Sequence, residues 1–147
     1  MRLTAFTDYS LRVLMYVATA PAGRATIGEI AQAFRISQNH LVKVVHRLGQ
    51  GGLLANSRGR NGGLRLAVSP SAIQLGRVVR LTEGPDVPAE CFDAGGSDCV
   101  LAPGCTLRPV LAQAVAAFHG VLDKYTLADL VKKPPPSIIV LHARKAA

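Results

Sequence analysis

Residues 26–68 constrain the fold most, because two short amphipathic helices and a hairpin follow one another there along the chain. The stretch TIGEIAQAF begins at Thr26 and carries Glu29 three residues later, which is the pattern of a helix capping box. A short turn leads to SQNHLVKVVHRLGQGG, where Ser37 is a candidate N-cap and two glycines end the helix. Two short helices joined by such a turn predict a helix-turn-helix.

The segment LLANSRGRNGGLRLAV follows the second helix directly. Its two short extended runs flank an Asn-Gly-Gly turn, the pattern of a β-hairpin. A hairpin in this place predicts a wing, so we expect a mainly α-helical winged helix-turn-helix. Apolar periodicity predicts further helices over residues 5–20, over 69–84 with Ile73 on the apolar face, and from Thr106 to about Lys124. The sequence TLADLV predicts a short terminal helix.

The helix that begins at Thr106 has an apolar stripe about five turns long. Such a stripe can be covered by the N-terminal helices of the same chain or by a second copy of the chain. We favour the second arrangement, a long C-terminal dimerisation helix, because helix-turn-helix proteins usually pair to match two half-sites on DNA.

The charge is concentrated in the first half of the chain. Residues 1–80 contain 11 Lys or Arg and two acidic residues, whereas residues 81–147 contain six basic and seven acidic residues. The net charge of the whole chain is +8. A basic half of this size favours a polyanionic partner, most naturally double-stranded DNA, over a surface that is merely charged and soluble.

The second helix of a helix-turn-helix enters the major groove, and its first turns touch base edges. Asn and Gln can form paired hydrogen bonds to adenine, and Lys can reach guanine or phosphate. An Arg between glycines at a hairpin tip can enter a narrow minor groove. Each residue alone could equally be a solvated surface side chain, but their arrangement favours DNA contact. The candidates are Ser37, Gln38, Asn39, His40, Lys43 and Arg47 on the helix, and Arg58, Arg60 and Arg65 on the hairpin.

All three cysteines, Cys91, Cys99 and Cys105, lie in one loop rich in Gly and Asp. Unrelated free thiols would favour burial, a disulfide would leave an odd thiol, and structural zinc usually shows closer pairs of cysteines. An iron–sulfur cluster needs thiolates on a loop that can wrap it, and Cys105 precedes a helix N-terminus, whose dipole favours thiolate. The spacing therefore favours a cluster site, for which the loop offers carboxylates but no fourth Cys and no His.

The segments MRLTAFTDYSLRVLMYVA, QNHLVKVVHRLGQGGLL, RGRNGGLRLA and LDKYTLADLV, taken with the cysteine loop, resemble the Rrf-type winged-helix transcriptional regulators. The likeness runs from residue 1 to about residue 131, and within the family it is strongest to the nitric-oxide-sensitive repressors. It implies a homodimeric bacterial repressor with one iron–sulfur cluster per subunit. Three thiolates and a carboxylate can hold a 4Fe–4S or a 2Fe–2S cluster, and we favour 4Fe–4S.

The resemblance also implies that the fourth cluster ligand is a carboxylate near the N-terminus of the partner subunit. The matching position is Asp8, and Arg12, four residues later in the same helix, matches a residue beside that ligand. From the residues alone, Asp8 could instead be a helix-start carboxylate or the surface ion-pair partner of Arg12. Family members that sense cluster supply use a histidine near the third cysteine, and none lies near Cys105.

Together, the patterns and the resemblance predict a transcriptional repressor rather than an enzyme. The cluster-loaded dimer would bind a roughly palindromic operator. Nitrosylation of the cluster by nitric oxide would release the operator and derepress nitric oxide detoxification genes. A regulator that senses iron, cluster supply or redox state is the alternative. An electron-transfer module is less favoured, because GRNGG lacks the spacing of a dinucleotide-binding motif.

Asp8 and Arg12 place two charges inside the first apolar stretch, and such charges are not typical of a signal peptide. No apolar run approaches the ~20 residues of a membrane span. We therefore expect a cytoplasmic protein without a membrane partner. The expected organisation is a DNA-binding domain at 1–82, a cluster-binding cysteine loop at 83–105, a dimerisation helix with a short terminal helix at 106–131, and a flexible tail at 132–147.

Overall fold

The structure is a computed structural model that describes residues 3–57, 59, 62–85, 87–93, 98–133, 138 and 141–142 of the 147-residue chain. Its helices are α1 (Ala5–Thr19), α2 (Ile27–Phe34), α3 (Gln38–Gln50), α4 (Leu75–Glu83), α5 (Leu107–Leu122) and α6 (Leu127–Val131), and its strands are β1 (Leu54–Ser57) and β2 (Gly63–Leu66). Single 3-10 turns cover Pro70–Ala72, Glu90–Phe92 and Ala102–Gly104. None of the described helices is both long and apolar enough to cross a bilayer.

The predicted helix-turn-helix is confirmed by α2 and α3. The Thr26 hydroxyl accepts the Glu29 amide at 3.3 Å, and the Glu29 carboxylate accepts the Thr26 amide at 3.1 Å, which completes the capping box. Ser37 caps α3 by accepting the His40 amide at 3.4 Å. Between the helices, Arg35 turns the chain with a left-handed φ of 55°, a conformation that costs most residues other than glycine free energy.

The wing is an antiparallel hairpin in which Leu54 of β1 lies opposite Leu66 of β2. It is fixed to the helices by a two-way bridge, in which the Ala25 amide donates to the Leu64 carbonyl at 3.0 Å and the Leu64 amide donates to the Ala25 carbonyl at 2.7 Å. Gly63 has a φ of 146°, and an added Cβ would lie 3.0 Å from the Ala25 carbonyl oxygen. Glycine at this position therefore lets the wing approach the chain just before α2.

The hydrophobic core lies around α1, which contacts α3, α4, α6 and β2. Leu14 of α1, Ile30 of α2 and Leu41 of α3 are completely shielded from solvent. Burial of each such side chain stabilises the fold by about 1.5–3 kcal/mol. Val44 and Leu48, on the same face of α3 as Leu41, are also completely buried.

The single helix predicted over residues 69–84 is wrong. The 3-10 turn at Pro70–Ala72 is followed by extended chain at Ile73, and α4 begins only at Leu75. The reason is a long-range pairing with the chain before α6. The Ile73 carbonyl accepts the Leu127 amide at 2.8 Å, and the Leu75 amide donates to the Tyr125 carbonyl at 3.0 Å. Ile73 is nevertheless completely buried, as its apolar side chain predicted.

Helix α5 leaves much of its apolar stripe exposed. Leu107 and Val110 are each 58% exposed, and Val121 is 54% exposed. The N-terminal helices of the same chain therefore leave these positions uncovered. Dimerisation through α5 stays a prediction.

The tail expected to be flexible, residues 132–147, differs from that expectation at its described residues. Ile138 is 6% exposed. The His142 ring centroid lies 4.2 Å from that of Tyr16, and His142 Nε2 lies 3.0 Å from the Thr19 hydroxyl. Part of the tail therefore lies against α1.

Candidate DNA-binding surface and cysteine loop

The outer face of α3 carries the polar residues predicted to touch DNA. Gln38, Asn39 and Lys43 are exposed, while the apolar face of the same helix is turned into the core. Ser37 is exposed as well, but its hydroxyl oxygen already accepts the His40 amide. It caps the helix, and only its hydroxyl hydrogen remains to donate to a phosphate. The exposed His40 ring lies 6.4 Å from the ring of Tyr9 in α1.

Arg47 and Arg65 are the other two described candidates for DNA contact, and both are exposed. Arg47 is exposed near the end of α3, where its Nε donates to the Leu81 carbonyl at 3.0 Å. That bond uses one nitrogen of the guanidinium, whose geometry allows the terminal nitrogens to donate elsewhere. Arg65 is exposed in β2 and pairs across the hairpin with Ala55. The other two candidates on the wing, Arg58 and Arg60, lie outside the described residues.

The three cysteines lie on short turns before α5. Cys91 is in the 3-10 turn Glu90–Phe92, and the Cys99 carbonyl accepts the Ala102 amide at 3.0 Å. Cys105 comes two residues before the first residue of α5. Each cysteine is half-buried and is not joined in a disulfide in the described structure. The described residues form no group of three or more His, Cys, Asp or Glu side chains close enough to hold a metal ion.

A contact between Phe92 and Arg108 links the two ends of the cysteine loop. The Arg108 guanidinium lies 5.7 Å from the centroid of the Phe92 ring, within the range of a cation–π interaction. Phe92 follows Cys91 directly, and Arg108 is three residues after Cys105. The chain therefore holds the 3-10 turn that carries Cys91 against the first turn of α5, which begins two residues after Cys105.

The donor set of the loop is compatible with an iron–sulfur cluster. Thiolates are the usual protein ligands of such clusters, and half-buried thiols on short turns can reorient more readily than core thiols. The loop also exposes apolar side chains at Val100, which is 91% exposed, and at Leu101, which is 67% exposed. Isolated exposed apolar residues are ordinary, but two adjacent ones on a loop with three thiols mark a surface that can be covered by another group or chain.

Asp8 is held by Arg12 within α1. The Arg12 Nε donates to Asp8 Oδ1 at 3.0 Å, and Arg12 Nη2 lies 2.7 Å from Asp8 Oδ2. The two side chains are 45% and 44% exposed, so the pair is worth at most about 1 kcal/mol. In the single chain, Asp8 is therefore the ion-pair partner of Arg12. The described residues do not bring Asp8 into a common group with the cysteines.

An open cleft of about 500 Å³ lies beside Asp8 and Arg12. Its walls also include Tyr9, Phe34 and Arg35, so it reaches from α1 to the turn of the helix-turn-helix. The sequence patterns did not single out Tyr9 or Arg35. The available signal for Arg35 was its place directly after α2, where a helix often ends in a left-handed residue.

Comparisons with known proteins agree with this arrangement. Residues 3–133 match the family model Rrf2, described as an iron-dependent transcriptional regulator. The HTH-type transcriptional regulator NsrR of Bacillus subtilis (strain 168) is 51% identical over 133 residues, which are 90% of this chain and 91% of that protein. The protein of the same name from Oceanobacillus iheyensis is 44% identical over 146 residues, or 99% of each chain.

Solved structures with the same fold include other regulators. CymR (YrzC), the global cysteine regulator of B. subtilis, has a TM-score of 0.73 and 29% identity, and the match covers 92% of this chain and 99% of that chain. IscR of T. potens has a TM-score of 0.72 and 21% identity over 93% of this chain and 90% of that chain, a likeness that concerns the fold alone.

Proposed function

This chain belongs to the Rrf2 family of transcriptional regulators, and we propose that it is a homodimeric DNA-binding repressor whose iron–sulfur cluster responds to nitric oxide. It is a regulator rather than an enzyme. The observation that carries the proposal is the combination, on one chain, of an exposed polar recognition helix and a loop that holds all three cysteines. Relatives that are 44–51% identical to it are named NsrR.

The reading head, residues 3–83, is suited to a DNA duplex by shape and charge. Helix α3 presents Gln38 and Asn39 in its first turn, where a recognition helix contacts base edges, and both side chains can pair with adenine. Lys43 and Arg65 are exposed and cationic, so they can contact phosphates on either side of the groove. The proposed contacts of Arg58 and Arg60 at the wing tip remain part of this proposal.

The cluster is proposed to be held by Cys91, Cys99 and Cys105, with Asp8 of the partner subunit as the fourth ligand. Thiolate donors favour iron–sulfur clusters, and a carboxylate is a weaker ligand for this iron than a thiolate. Recruiting Asp8 requires its exposed ion pair with Arg12 to open, which costs at most about 1 kcal/mol. When bound, the cluster supplies iron that reacts with nitric oxide; 4Fe–4S is favoured over 2Fe–2S, one per subunit.

Dimerisation is proposed through α5, whose exposed apolar side chains would be covered by the same helix of a second copy. Leu107, Val110 and Val121 recur at helical spacing and are each more than half exposed. An isologous contact of this kind would also bring the cysteine loop of one subunit near the other subunit and set the distance between the two reading heads.

The test is an anaerobic titration of the cluster-loaded protein on its own operator. Cluster absorbance and operator binding are followed together as nitric oxide is added, with random duplex as the control. The proposal expects both signals to fall over the same range of nitric oxide. Binding that survives complete loss of the absorbance band would overturn it. Parallel titrations with an iron chelator and with a mild oxidant test the alternative signals. The reagent that releases the operator at the lowest concentration identifies the signal.

A further inference from the structure

We propose that Glu83 is a positioning residue that couples helix α1, which carries Asp8, to the recognition helix α3 through the last turn of α4. The inference rests on the proposed function, because it concerns the route by which a change at Asp8 reaches the DNA-binding surface. It assigns Glu83 no contact with DNA or with the cluster. The contacts that support it lie in the well-packed part of the reading head.

The first half of the coupling joins α4 to the start of α1. Glu83 Oε1 accepts the Thr4 amide at 2.7 Å and the Thr4 hydroxyl at 3.0 Å. In the same contact, the hydroxyls of Thr7 and of Thr82, the residue before Glu83, lie 2.7 Å apart. Thr4 is the N-cap of α1, so its position defines where that helix begins. The amide that a local side chain satisfies in a capping box is here bound by a residue 79 positions away.

Thr4 is in turn bonded directly to Asp8. The Thr4 carbonyl accepts the Asp8 amide at 3.1 Å, the first backbone hydrogen bond of α1. Glu83, Thr4 and Asp8 are therefore linked by successive hydrogen bonds. A carboxylate that accepts two donors holds them more firmly than a neutral acceptor would. A displacement of the Asp8 backbone must therefore move the start of α1 or break this series.

The second half of the coupling joins the same turn of α4 to α3. The Leu81 carbonyl accepts Arg47 Nε at 3.0 Å. Arg77 Nη2 donates to the carbonyl of Gly51, the C-cap of α3, at 2.8 Å. The Leu81 side chain lies so close to Gly51 that an added Cβ there would clash with it. Glu83 and Leu81, which are two residues apart at the end of α4, thus contact the start of α1 and the recognition helix α3, respectively.

The electrostatics of Glu83 agree with this role. Partial burial raises the pKa of the Glu83 carboxyl, but hydrogen bonds from Thr7 and Thr4 outweigh it, and the pKa is lowered overall. The charged form is thus the form that the contact stabilises. Because close-packed elements transmit small displacements instead of absorbing them, a movement of the first turn of α1 would tilt α4 and draw the end of α3 with it.

Glu83→Ala tests the coupling, with Glu29→Ala as its matched control. Glu29 also accepts the amide of a threonine N-cap, but within its own helix. The quantity measured is the ratio of operator affinities of the cluster-loaded and the cluster-free protein. We expect Glu83→Ala to keep the cluster absorbance and to lower the ratio by about fivefold or more, the lower end of typical allosteric couplings. Glu29→Ala should leave the ratio unchanged, and Glu83→Gln, which retains an acceptor oxygen, should restore part of it.

Amide hydrogen exchange of the cluster-free protein provides a readout that needs neither cluster nor DNA. Glu83→Ala should speed exchange at residues 4–8 and also at residues 44–50, while residues 27–34 stay as in the wild type. Unchanged exchange at residues 44–50 would overturn the coupling, as would an affinity ratio equal to that of the wild type. If Glu83→Ala does not fold, Glu83→Gln is measured in its place. A wild-type chain without operator binding would instead refute the proposed function, and the exchange experiment would still decide the coupling.

Discussion

The reading head and the cysteine loop differ in how completely the chain buries their large apolar side chains. In the reading head, Leu14 and Leu41 are completely buried, and the first turns of α2 and α3 are capped. In the loop, Val100 and Leu101 are 91% and 67% exposed, and the backbone forms short 3-10 turns. An exposed large apolar side chain forgoes about 1.5–3 kcal/mol of burial. The reading head thus buries its large apolar side chains within one chain, whereas the described part of the loop leaves two of its own exposed.

The largest expected effect lies in the loop. Cys91→Ala, Cys99→Ala and Cys105→Ala should each abolish stable cluster assembly, since the chain has three cysteines and no spare. Iron content and visible absorbance of anaerobic preparations measure the effect, and Asp98→Ala, next to Cys99, is the control. The reading head should unfold with the same free energy in all four variants. A full and stable cluster in one cysteine variant would remove that residue from the proposed ligand set.

A pair of leucine truncations sharpens the contrast between the regions. Leu14→Ala removes a completely buried side chain and should lower the free energy of unfolding by about 2–5 kcal/mol. Leu101→Ala in the loop should change it by no more than about 0.5 kcal/mol in the cluster-free protein. Urea unfolding followed by circular dichroism measures both. Equal losses in the free energy of unfolding would show that the loop belongs to the same core as the reading head, so that the two regions do not differ in burial.

Within the reading head, base contacts and phosphate contacts should behave differently. Asn39→Ala should cost about 1–3 kcal/mol of discrimination between operator and random DNA, if its amide pairs with a base. Arg65→Ala should weaken binding to all sequences and reduce the slope of affinity against salt by about one unit. Fluorescence anisotropy with both duplexes at several salt concentrations measures these effects. The assignment of roles is refuted when the two variants lose the same affinity on both duplexes.

The elements of the reading head could be predicted because their signals are local. The capping box at Thr26 and Glu29, the N-cap at Ser37 and the apolar face of α3 depend on residues within a few positions of one another. Periodicity likewise located α5 and the short α6 to within a few residues. The same patterns identified the exposed polar turn of α3, since the buried positions of a helix fix its opposite face.

The predictions failed or fell short where long-range pairing decides the geometry. Ile73 carries the apolar signal of a helix, yet it lies in extended chain, where its carbonyl accepts the amide of Leu127, the first residue of α6. The hydrogen bond from Arg47 Nε to the Leu81 carbonyl joins residues 34 positions apart, and no local pattern indicated it. The role proposed for Glu83 depends on its contact with Thr4, which lies 79 positions earlier in the sequence. Residues so far apart leave no periodic trace in one sequence.

The smallest expected effect lies where α4 of the reading head meets the end of α5. Hydrogen bonds from Arg80 lower the pKa of Asp123 below its ordinary value of 3.8. A carboxyl with a lowered pKa contributes stability that is present above its unfolded pKa and is lost as pH falls through the folded one. Asp123→Asn should therefore flatten the fall in unfolding free energy below about pH 4, measured by urea titrations at several pH values. A fall as steep as in the wild type would exclude this ion pair as a contributor, and Asp98→Asn is the control.

In the proposed mechanism, the cluster held by the cysteine loop controls the affinity of the reading head for DNA. The most direct test measures operator affinity twice on one anaerobic preparation, first with the cluster loaded and again after its removal by a chelator. Circular dichroism on both samples confirms that the helices are retained. The account predicts that removal of the cluster weakens operator binding at least about tenfold, a coupling of about 1.4 kcal/mol, with binding to random duplex nearly unchanged. Equal operator affinities in the two samples would contradict it.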